Sequence, residues 1–141
     1  MRKRTKSREL ALQILYQINI TGDKVDNSLN NFWKKHRASP QIKEFAVELV
    51  TGTITNLRKI DQTITKCTEN WQIERIAVVE RNILRMACYE LLFMEDIPPK
   101  VSINEAINIA KKFATPQSGK FVNGVLDKIK RTKVVKKSRL R

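Results

Sequence analysis

Near its C-terminus the chain contains the stretch SGKFVNGVLDKIK, residues 118–130, in which an aromatic ring, lysines and an amide side chain occur close together. Phe121 lies between Lys120 and Lys128, and Asn123 follows it two residues later. Cations bind phosphates, rings stack on bases and amides bond to base edges, so these residue types can together hold single-stranded nucleic acid. The alternative is that Phe121 is simply buried, because apolar positions at the edge of a helix face often belong to the core.

The distribution of charge also favours a polyanionic partner. The chain of 141 residues has 28 Lys and Arg against 14 Asp and Glu, a formal net charge of +14. Five basic side chains lie in residues 1–8 and eight in residues 128–141, without an acidic one, which leaves 15 basic against 14 acidic in residues 9–127. Excess charge at the two ends predicts that the termini contact a polyanion, and a solubilising tail is the alternative.

Residue types that support catalysis or metal binding are sparse. The single histidine, His36, lies in a basic segment beside a turn, and the sequence contains no glycine-rich phosphate loop and no nucleophile motif. Cys67 and Cys88 fall at apolar helical positions without zinc-site spacing, so we predict reduced core residues, although a disulfide between them stays open. We therefore predict a protein that is not an enzyme and has no cofactor and no metal site.

Two carboxylates lie on a helix predicted over about residues 74–95, which is apolar nearly all round. Glu80 and Glu90 could be paired groups for acid–base chemistry. Buried carboxylates need partners, however, and Arg81 and Arg85 are close along the chain, so a structural role is the simpler interpretation. A third possibility is that Glu80 faces a protein partner.

The N-terminal stretch MRKRTKSRELALQILYQ superficially resembles a signal peptide. Glu9, Gln13 and Gln17 interrupt its apolar run every fourth residue, which makes a polar helical stripe, and no small-residue cleavage site follows. No apolar stretch reaches the ~18 residues that a membrane span needs. We expect a cytoplasmic protein without a membrane partner, and a basic amphipathic helix on a membrane surface is the alternative.

Helical periodicity and the small number of glycines and prolines predict an all-α fold. We expect a single domain of five to seven helices over residues 1–130, followed by a basic, flexible tail over residues 131–141. The first helix, about residues 5–20, has a second, partly apolar face that carries Leu12 and Tyr16. Its predicted core stripe comprises Ala11, Ile14, Leu15 and Ile18. That second face must meet another helix or another molecule.

Capping residues predict where other helices begin. Ser39, ahead of a proline, predicts the start of a long helix over about residues 40–67. Ser102 and Glu105 form the S-x-x-E pattern of a capping box, and Ser118 can cap the last helix. The buried stripe of that last helix comprises Val122, Val125, Leu126 and Ile129.

Four stretches of the sequence together carry a family resemblance. They are SRELALQILYQ (7–17), FAVELVTGTITNLRKIDQTI (45–64), ERNILRMACYELLFMEDIPPKVSINEAINIAKKF (80–113) and SGKFVNGVLDKI (118–129). Together these stretches resemble the NusB family of bacterial transcription antitermination factors. The motifs LR.A.YEL, DIP..V.INEA and KFVNGVLD occur in the family's order and spacing, and the resemblance covers about residues 5–130.

The resemblance implies a fold of two packed helical bundles and a function in transcription antitermination. It implies binding of boxA RNA in ribosomal RNA leader transcripts, together with NusE, which is also a small-subunit ribosomal protein. The pair would join the elongating RNA polymerase with other Nus factors, and some family members form homodimers. From the residues alone, a non-catalytic helical protein-interaction module with nonspecific RNA affinity is the alternative.

The resemblance also implies contact residues. The matching RNA-binding positions are Arg4, Lys6, Arg8, Lys120, Phe121 and Asn123, and the matching NusE-facing positions are Tyr16 and Glu80. The N-terminal match is partial, because Thr5 and Ser7 alternate here with basic residues where many relatives have a denser run of arginines.

Overall fold

The structure, a computed structural model, describes residues 2–69 and 72–134. Over these residues the chain forms seven α-helices and no strand, which confirms the all-α prediction. The helices are α1 (Lys3–Thr21), α2 (Val25–Lys35), α3 (Pro40–Thr55), α4 (Leu57–Cys67), α5 (Val78–Phe93), α6 (Pro99–Phe113) and α7 (Pro116–Ile129). A 3₁₀ turn at Ile73–Arg75 precedes α5, and a π-helical turn at Lys130–Val134 follows α7.

The chain divides into two compact units, Met1–Thr55 and Asn56–Arg141, called unit 1 and unit 2 below. Unit 1 contains α1 to α3, and unit 2 contains α4 to α7. The predicted flexible tail, residues 131–141, begins within the π-helical turn, and its residues 135–141 lie outside the described residues. In the part of the chain that the structure describes, no helix has the length and apolar character needed to cross a membrane.

The core of unit 1 lies between α1 and α3. The predicted stripe of α1 is buried at Ala11, Ile14 and Leu15, whereas Ile18 is only half-buried. Leu12, predicted on the second face, is buried as well. The helix ends at Gly22, whose φ of 72° is in the left-handed region, and the Gly22 N–H donates to the Ile18 carbonyl at 2.9 Å. Glycine fits this position because it has no Cβ to oppose a positive φ.

The predicted helix over residues 40–67 is wrong in its length, because it is two helices. Its start is confirmed, since the Ser39 hydroxyl accepts the Ile42 N–H at 3.4 Å. Asn56, with φ −105° and ψ 19°, then leaves helical geometry between α3 and α4. Asparagine and the β-branched residues before it have poor helix propensity, which favours a break in the helix here. The apolar stripe nevertheless continues across the break.

The central helix of unit 2, α5, begins later than predicted. Residues Ile73–Arg75 form a 3₁₀ turn instead, and α5 starts at Val78. The Arg81 guanidinium fastens this turn, because its Nη2 donates to the carbonyls of Glu74 and Ile76 at 2.9 Å each. As predicted, α5 is buried on most sides, at Asn82, Ile83, Leu84, Met86, Ala87, Cys88, Glu90 and Leu91.

Ser102 does not cap a helix, which corrects the capping-box prediction. Helix α6 begins at Pro99, so Ser102 lies inside it, where its hydroxyl donates to Glu90 Oε1 at 2.7 Å. Both residues are 1% exposed. A buried carboxylate is costly without hydrogen bonds, and we therefore predicted arginine partners for Glu90. The structure shows a serine hydroxyl from α6 as a partner of the Glu90 carboxylate on α5.

Arg85, one of those predicted arginine partners, pairs with another carboxylate. Its Nε and Nη2 donate to the two carboxylate oxygens of Asp61, each at 2.9 Å. This two-pronged geometry is the strongest form of an arginine–carboxylate pair. The pair joins α4 to α5 in unit 2, close to the start of the unit.

Candidate nucleic-acid interface

The basic N-terminus is held on α3 within unit 1. The Ser7 hydroxyl contacts the carbonyls of Lys3 at 3.0 Å and Ile42 at 2.8 Å, and the Lys3 ammonium donates to the Gln41 side chain. Ser7 is buried, so its place between the basic residues of the sequence is where α1 meets α3. The basic residues are therefore part of a packed helix rather than a loose arm.

Two of the predicted RNA-binding arginines contact one aromatic ring. The guanidinium carbon of Arg4 lies 4.4 Å from the centroid of the Phe45 ring, and that of Arg8 lies 5.5 Å from it. Residues four apart lie on the same face of a helix, which is why both reach the same ring on α3. These are cation–π contacts, and they orient planar groups that can also bind phosphate.

The predicted N-terminal residues differ in accessibility. Arg4 and Lys6 are exposed, whereas Arg8 is only 2% exposed. In this conformation the Arg8 side chain is therefore part of the packing between α1 and α3, and a phosphate at the surface does not reach it. Ser7 and Arg8 are both buried, whereas Thr5 is half-buried, so packing against α3 accounts for the serine but not for the alternation as a whole.

A groove of about 400 Å³ runs beside Arg4. Its lining consists of Lys3, Arg4, Ser7, Gln41, Glu44, Phe45 and Glu48. Glu44 and Glu48 share the lining with the basic residues, so the groove itself is not a purely cationic site. Its basic groups can attract a phosphate, and its carboxylates can accept hydrogen bonds from base amino groups.

The start of α7 in unit 2 is fixed by Thr115 rather than by Ser118, which corrects the predicted cap. The Thr115 hydroxyl accepts the Ser118 N–H at 3.0 Å, and Pro116 occupies the first helical position. Threonine followed by proline is a favoured helix start, because it satisfies an otherwise unpaired N–H and presets the backbone angle. The cap holds the first turn, which leads directly into Lys120.

At about 100° per residue, the predicted residues at the start of α7 lie on either side of Lys120, with Phe121 and Asn123 about 160° apart around the helix axis. Lys120 and Asn123 are exposed, and Phe121 is half-buried. The predicted inner stripe of Val122, Val125, Leu126 and Ile129 is buried, which confirms it. Phe121 thus lies at the boundary between core and solvent, and Asn123 lies at the opposite edge of the exposed face.

Lys111 adds a cation to this region, although it is not among the predicted contact residues. An ideal Cβ built on Gly119 is 3.1 Å from Lys111 Cγ and 3.3 Å from Lys111 Cε, so the lysine side chain lies across the glycine. Its Nζ is one bond beyond Cε and is therefore within about 5 Å of that Cβ position. The sequence gives little indication of this, because Lys111 is on α6 and Gly119 on α7.

The predicted partner-facing residues lie on α1 and α5. Tyr16 is 42% exposed, and Ile20, one helical turn later on α1, is 59% exposed. Ile20 is not among the predicted residues, although its spacing of four from Tyr16 indicates that it shares the same face. Glu80 is half-buried in the first turn of α5.

The residues that were weighed for catalysis have structural environments. His36 stacks on Phe32 with ring centroids 3.9 Å apart, and its Nδ1 lies 3.1 Å from the Phe32 carbonyl. Cys67 and Cys88 are free thiols, and burial of Cys88 raises the pKa of its thiol far above its ordinary value. Among the described residues, no group of three or more His, Cys, Asp or Glu side chains could hold a metal ion.

Comparison with known proteins gives consistent matches along this chain. The NusB family profile matches residues 5–131. Transcription antitermination protein NusB of Anaeromyxobacter sp. (strain Fw109-5) is 48% identical over 128 residues, which are 90% of this chain and 89% of that protein.

Solved structures agree with the sequence matches. T. maritima NusB has a TM-score of 0.86 at 37% identity and covers 98% of this chain and 97% of its own. A chain in the crystal structure of antitermination factors NusB and NusE in complex with dsRNA has a TM-score of 0.85 at 31% identity, over 93% of this chain and 98% of that one. With a family profile that spans both units and relatives matched over nearly their whole length, this chain belongs to the NusB family.

Proposed function

We propose that this protein is a transcription antitermination adaptor that binds boxA-type single-stranded RNA in ribosomal RNA leader transcripts, together with NusE. The pair then joins the elongating RNA polymerase with other Nus factors, in the cytoplasm and without catalysing a reaction. The observation that carries the proposal is the match to the NusB family over residues 5–131. The likeness to a chain solved with NusE and dsRNA supports it.

In unit 1 we assign RNA contact to Arg4 and Lys6, which are exposed. The guanidinium carbon of Arg4 lies 4.4 Å from the centroid of the Phe45 ring, and a guanidinium held on a ring can still donate its N–H groups to a phosphate. Arg8 was predicted as a direct contact, but its burial supports a positioning role, in which it packs on the same ring and limits where Arg4 can lie.

In unit 2 we assign RNA contact to Lys120, Phe121 and Asn123. The exposed lysine supplies charge for a phosphate, the accessible part of the ring supplies a stacking surface, and the amide supplies both a donor and an acceptor for a base edge. A base stacked on an aromatic side chain contributes on the order of 1–3 kcal/mol. Lys111, whose side chain lies across Gly119, adds charge at the same helix start.

For NusE we assign Tyr16 and Glu80, with Ile20 extending the face of α1. Tyr16 and Ile20 are large side chains that are exposed on one helix face, and such faces serve protein contacts. Tyrosine suits this role because it buries much apolar area and keeps a hydroxyl for hydrogen bonding. Glu80, at the other assigned position, offers a carboxylate to a basic partner.

Titration of the purified protein with three RNAs at physiological salt tests the RNA assignment. The RNAs are a boxA-like single strand, a scrambled single strand of equal length and composition, and a duplex. We expect the boxA-like strand to bind most tightly, because unpaired bases alone can stack on Phe121. Equal affinity for the boxA-like and scrambled strands would contradict sequence-specific recognition. Tighter binding of the duplex would contradict base stacking on Phe121.

Titration with NusE, alone and with the boxA-like RNA present, tests the adaptor role. Coupling between two ligands is reciprocal, so NusE must strengthen RNA binding by the same factor by which RNA strengthens NusE binding. Independent binding of the two would contradict a joint complex. Light scattering of the same samples measures whether the free protein is a homodimer and whether RNA changes that state.

A second candidate function is a helical protein-interaction module whose RNA affinity is nonspecific. It is favoured by the concentration of 13 of the 28 basic side chains at the two ends, five in residues 1–8 and eight in residues 128–141. It predicts that deleting residues 130–141 and neutralising Arg4, Lys6 and Arg8 leaves NusE binding intact and that no RNA is preferred. A boxA preference of the intact protein decides against it.

A further inference from the structure

Helix α7 contains two glycines, and their surroundings differ. At Gly119 a Cβ would lie 3.1 Å from Lys111 Cγ and 3.6 Å from Ile107 Cγ2. These distances mean that α6 side chains occupy the space a side chain would need. The protein's own packing therefore accounts for the glycine at this position.

Packing does not account for Gly124. The residue is exposed. Apart from its two chain neighbours and the local helix backbone, no atom of the described residues lies within 4 Å of the place a Cβ would take. Its φ is not positive, so the backbone does not require glycine either. Glycine in a helix interior lowers stability relative to alanine, because it has more conformational freedom to lose. The fold alone would thus be better served by another residue.

The position of Gly124 on the helix supplies a reason. At about 100° per residue, Gly124 lies about 40° from Lys120 and about 60° from Phe121 around the axis of α7. It is therefore between the lysine and the ring and one turn further along, next to Asn123 and before Lys128. The result is bare backbone in the middle of the side chains that we assign to RNA.

The charge around Gly124 suits the same ligand. Asp127 is the single acidic residue in the sequence of α7, and its Oδ2 lies 3.3 Å from Arg131 Nε in a salt bridge. A paired carboxylate repels a phosphate less than a lone one. Lys120 and Lys128 remain exposed on this side of the helix, so the bare backbone lies in a positive surrounding.

We propose that Gly124 is a contact position at which bound RNA lies directly on the backbone of α7. The inference rests on the proposed RNA-binding function and deepens it. A Cβ would hold the nucleotide about 1.5 Å further from the helix, which is the length of one carbon–carbon bond. A base that stacks on Phe121 would then lose contact with the ring or with the lysine beside it, because van der Waals and hydrogen-bond contacts both fail over such a displacement.

The test compares Gly124→Ala and Gly124→Leu with the unchanged chain in three measurements. They are the affinity for boxA-like RNA at fixed salt, the affinity for NusE, and thermal unfolding of the free protein. Both variants should unfold at a higher temperature, by about 3 °C, since alanine and leucine are better helix formers than glycine. RNA affinity should fall by about threefold for alanine and by more than about tenfold for leucine, as expected for a weakened and then a lost base stack.

Gln62 provides the matched control, because it is exposed on α4 in the same unit and is not among the assigned contacts. Gln62→Ala and Gln62→Leu should leave RNA affinity unchanged, which separates a local clash from the mere presence of an added leucine. Opposite movement of stability and RNA affinity at Gly124 alone is the expected pattern.

Three results would overturn the inference. Undiminished RNA affinity in Gly124→Leu would show that nothing approaches this backbone. Lower NusE affinity with unchanged RNA affinity would assign the face to the protein partner. Equal losses in Gly124→Leu and Gln62→Leu would show a nonspecific effect. If the unchanged chain fails to prefer boxA-like RNA, the proposed function itself fails, and the inference fails with it.

Discussion

Phe45 in unit 1 and Phe121 in unit 2 are both aromatic rings beside basic residues, but the rings are used differently. Phe45 is 6% exposed, and the guanidinium groups of Arg4 and Arg8 lie against it. Phe121 is half-buried at a helix start, beside an exposed lysine. The comparison teaches that a ring near cations can either position the protein's own charges or offer a surface to a base, and burial separates the two.

Replacing the buried ring should have the largest effect. Phe45→Ala removes a core side chain between α1 and α3, so the free energy of unfolding should fall by roughly 3–5 kcal/mol. Chemical denaturation measures this. Phe45→Leu is the control that keeps most of the apolar volume; it should retain most of the stability and still weaken RNA binding, since the arginines lose their ring. Unchanged RNA affinity in Phe45→Leu would separate the ring from the RNA site.

Replacing the half-buried ring of Phe121 should have the opposite pattern, with a larger effect on RNA affinity than on the free energy of unfolding. Phe121→Ala should lower affinity for boxA-like RNA by about tenfold, as expected when one base loses its stack, and should change the free energy of unfolding by less than about 1 kcal/mol. Isothermal titration and denaturation of the same preparation provide both numbers. A large loss of stability with unaltered RNA affinity per folded molecule would place Phe121 in the core and make it equivalent to Phe45.

Exchanging arginine and lysine tests whether the basic residues assigned to RNA in unit 1 and in unit 2 bind phosphate in the same manner. Arg4→Lys should weaken RNA binding by about threefold, because an ammonium loses both the two-pronged contact and part of a surface cation–π interaction of about 0.5–1 kcal/mol. Lys120→Arg should be neutral, since a lysine contact is a point charge that a guanidinium can replace. Equal losses of RNA affinity in Arg4→Lys and Lys120→Arg would contradict a difference between a two-pronged arginine contact and a point-charge lysine contact.

The salt dependence of RNA binding should differ least between the basic residues of unit 1 and those of unit 2. Lys6→Gln and Lys120→Gln each remove one phosphate contact and should each reduce the slope of log affinity against log salt by about 0.7, the value for single strands. Lys35→Gln, exposed at the end of α2, is the control and should leave the slope unchanged. A slope that changes for one of the two lysines alone would restrict the RNA contacts to a single unit.

Much of the fold is predictable because helical periodicity is a local property. The buried stripe of α7 lies where the spacing of apolar residues predicts it. That of α1 does so in part, since Ile18 is not buried and Leu12 is. The break at Asn56 is not visible in that spacing, since the apolar stripe keeps its period across it. A continuous apolar stripe indicates that the residues share a buried side. Whether the helix itself continues depends on its backbone angles, and asparagine and threonine disfavour helical angles.

The candidate site is less predictable, since it depends on contacts between elements. Arg8 has the residue type of a phosphate contact, but its four-residue spacing from Arg4 places it against Phe45. Ser102 has the pattern of a helix cap, but a proline upstream starts α6 earlier and leaves the serine to Glu90. Lys111 on α6 lies across Gly119 on α7, where a Cβ would be 3.1 Å from Lys111 Cγ, and sequence spacing within one helix does not predict such a contact.

The placement of the two thiols gives unit 2 a chemical reporter of its own opening. Cys67 and Cys88 both lie in unit 2, and residues 1–55 contain no cysteine. Burial raises the pKa of the Cys88 thiol, and alkylating reagents attack the thiolate, so Cys88 reacts when the helices around it separate. Pulsed alkylation read by mass spectrometry therefore measures how often unit 2 opens, with and without RNA, in a chain that needs no substitution.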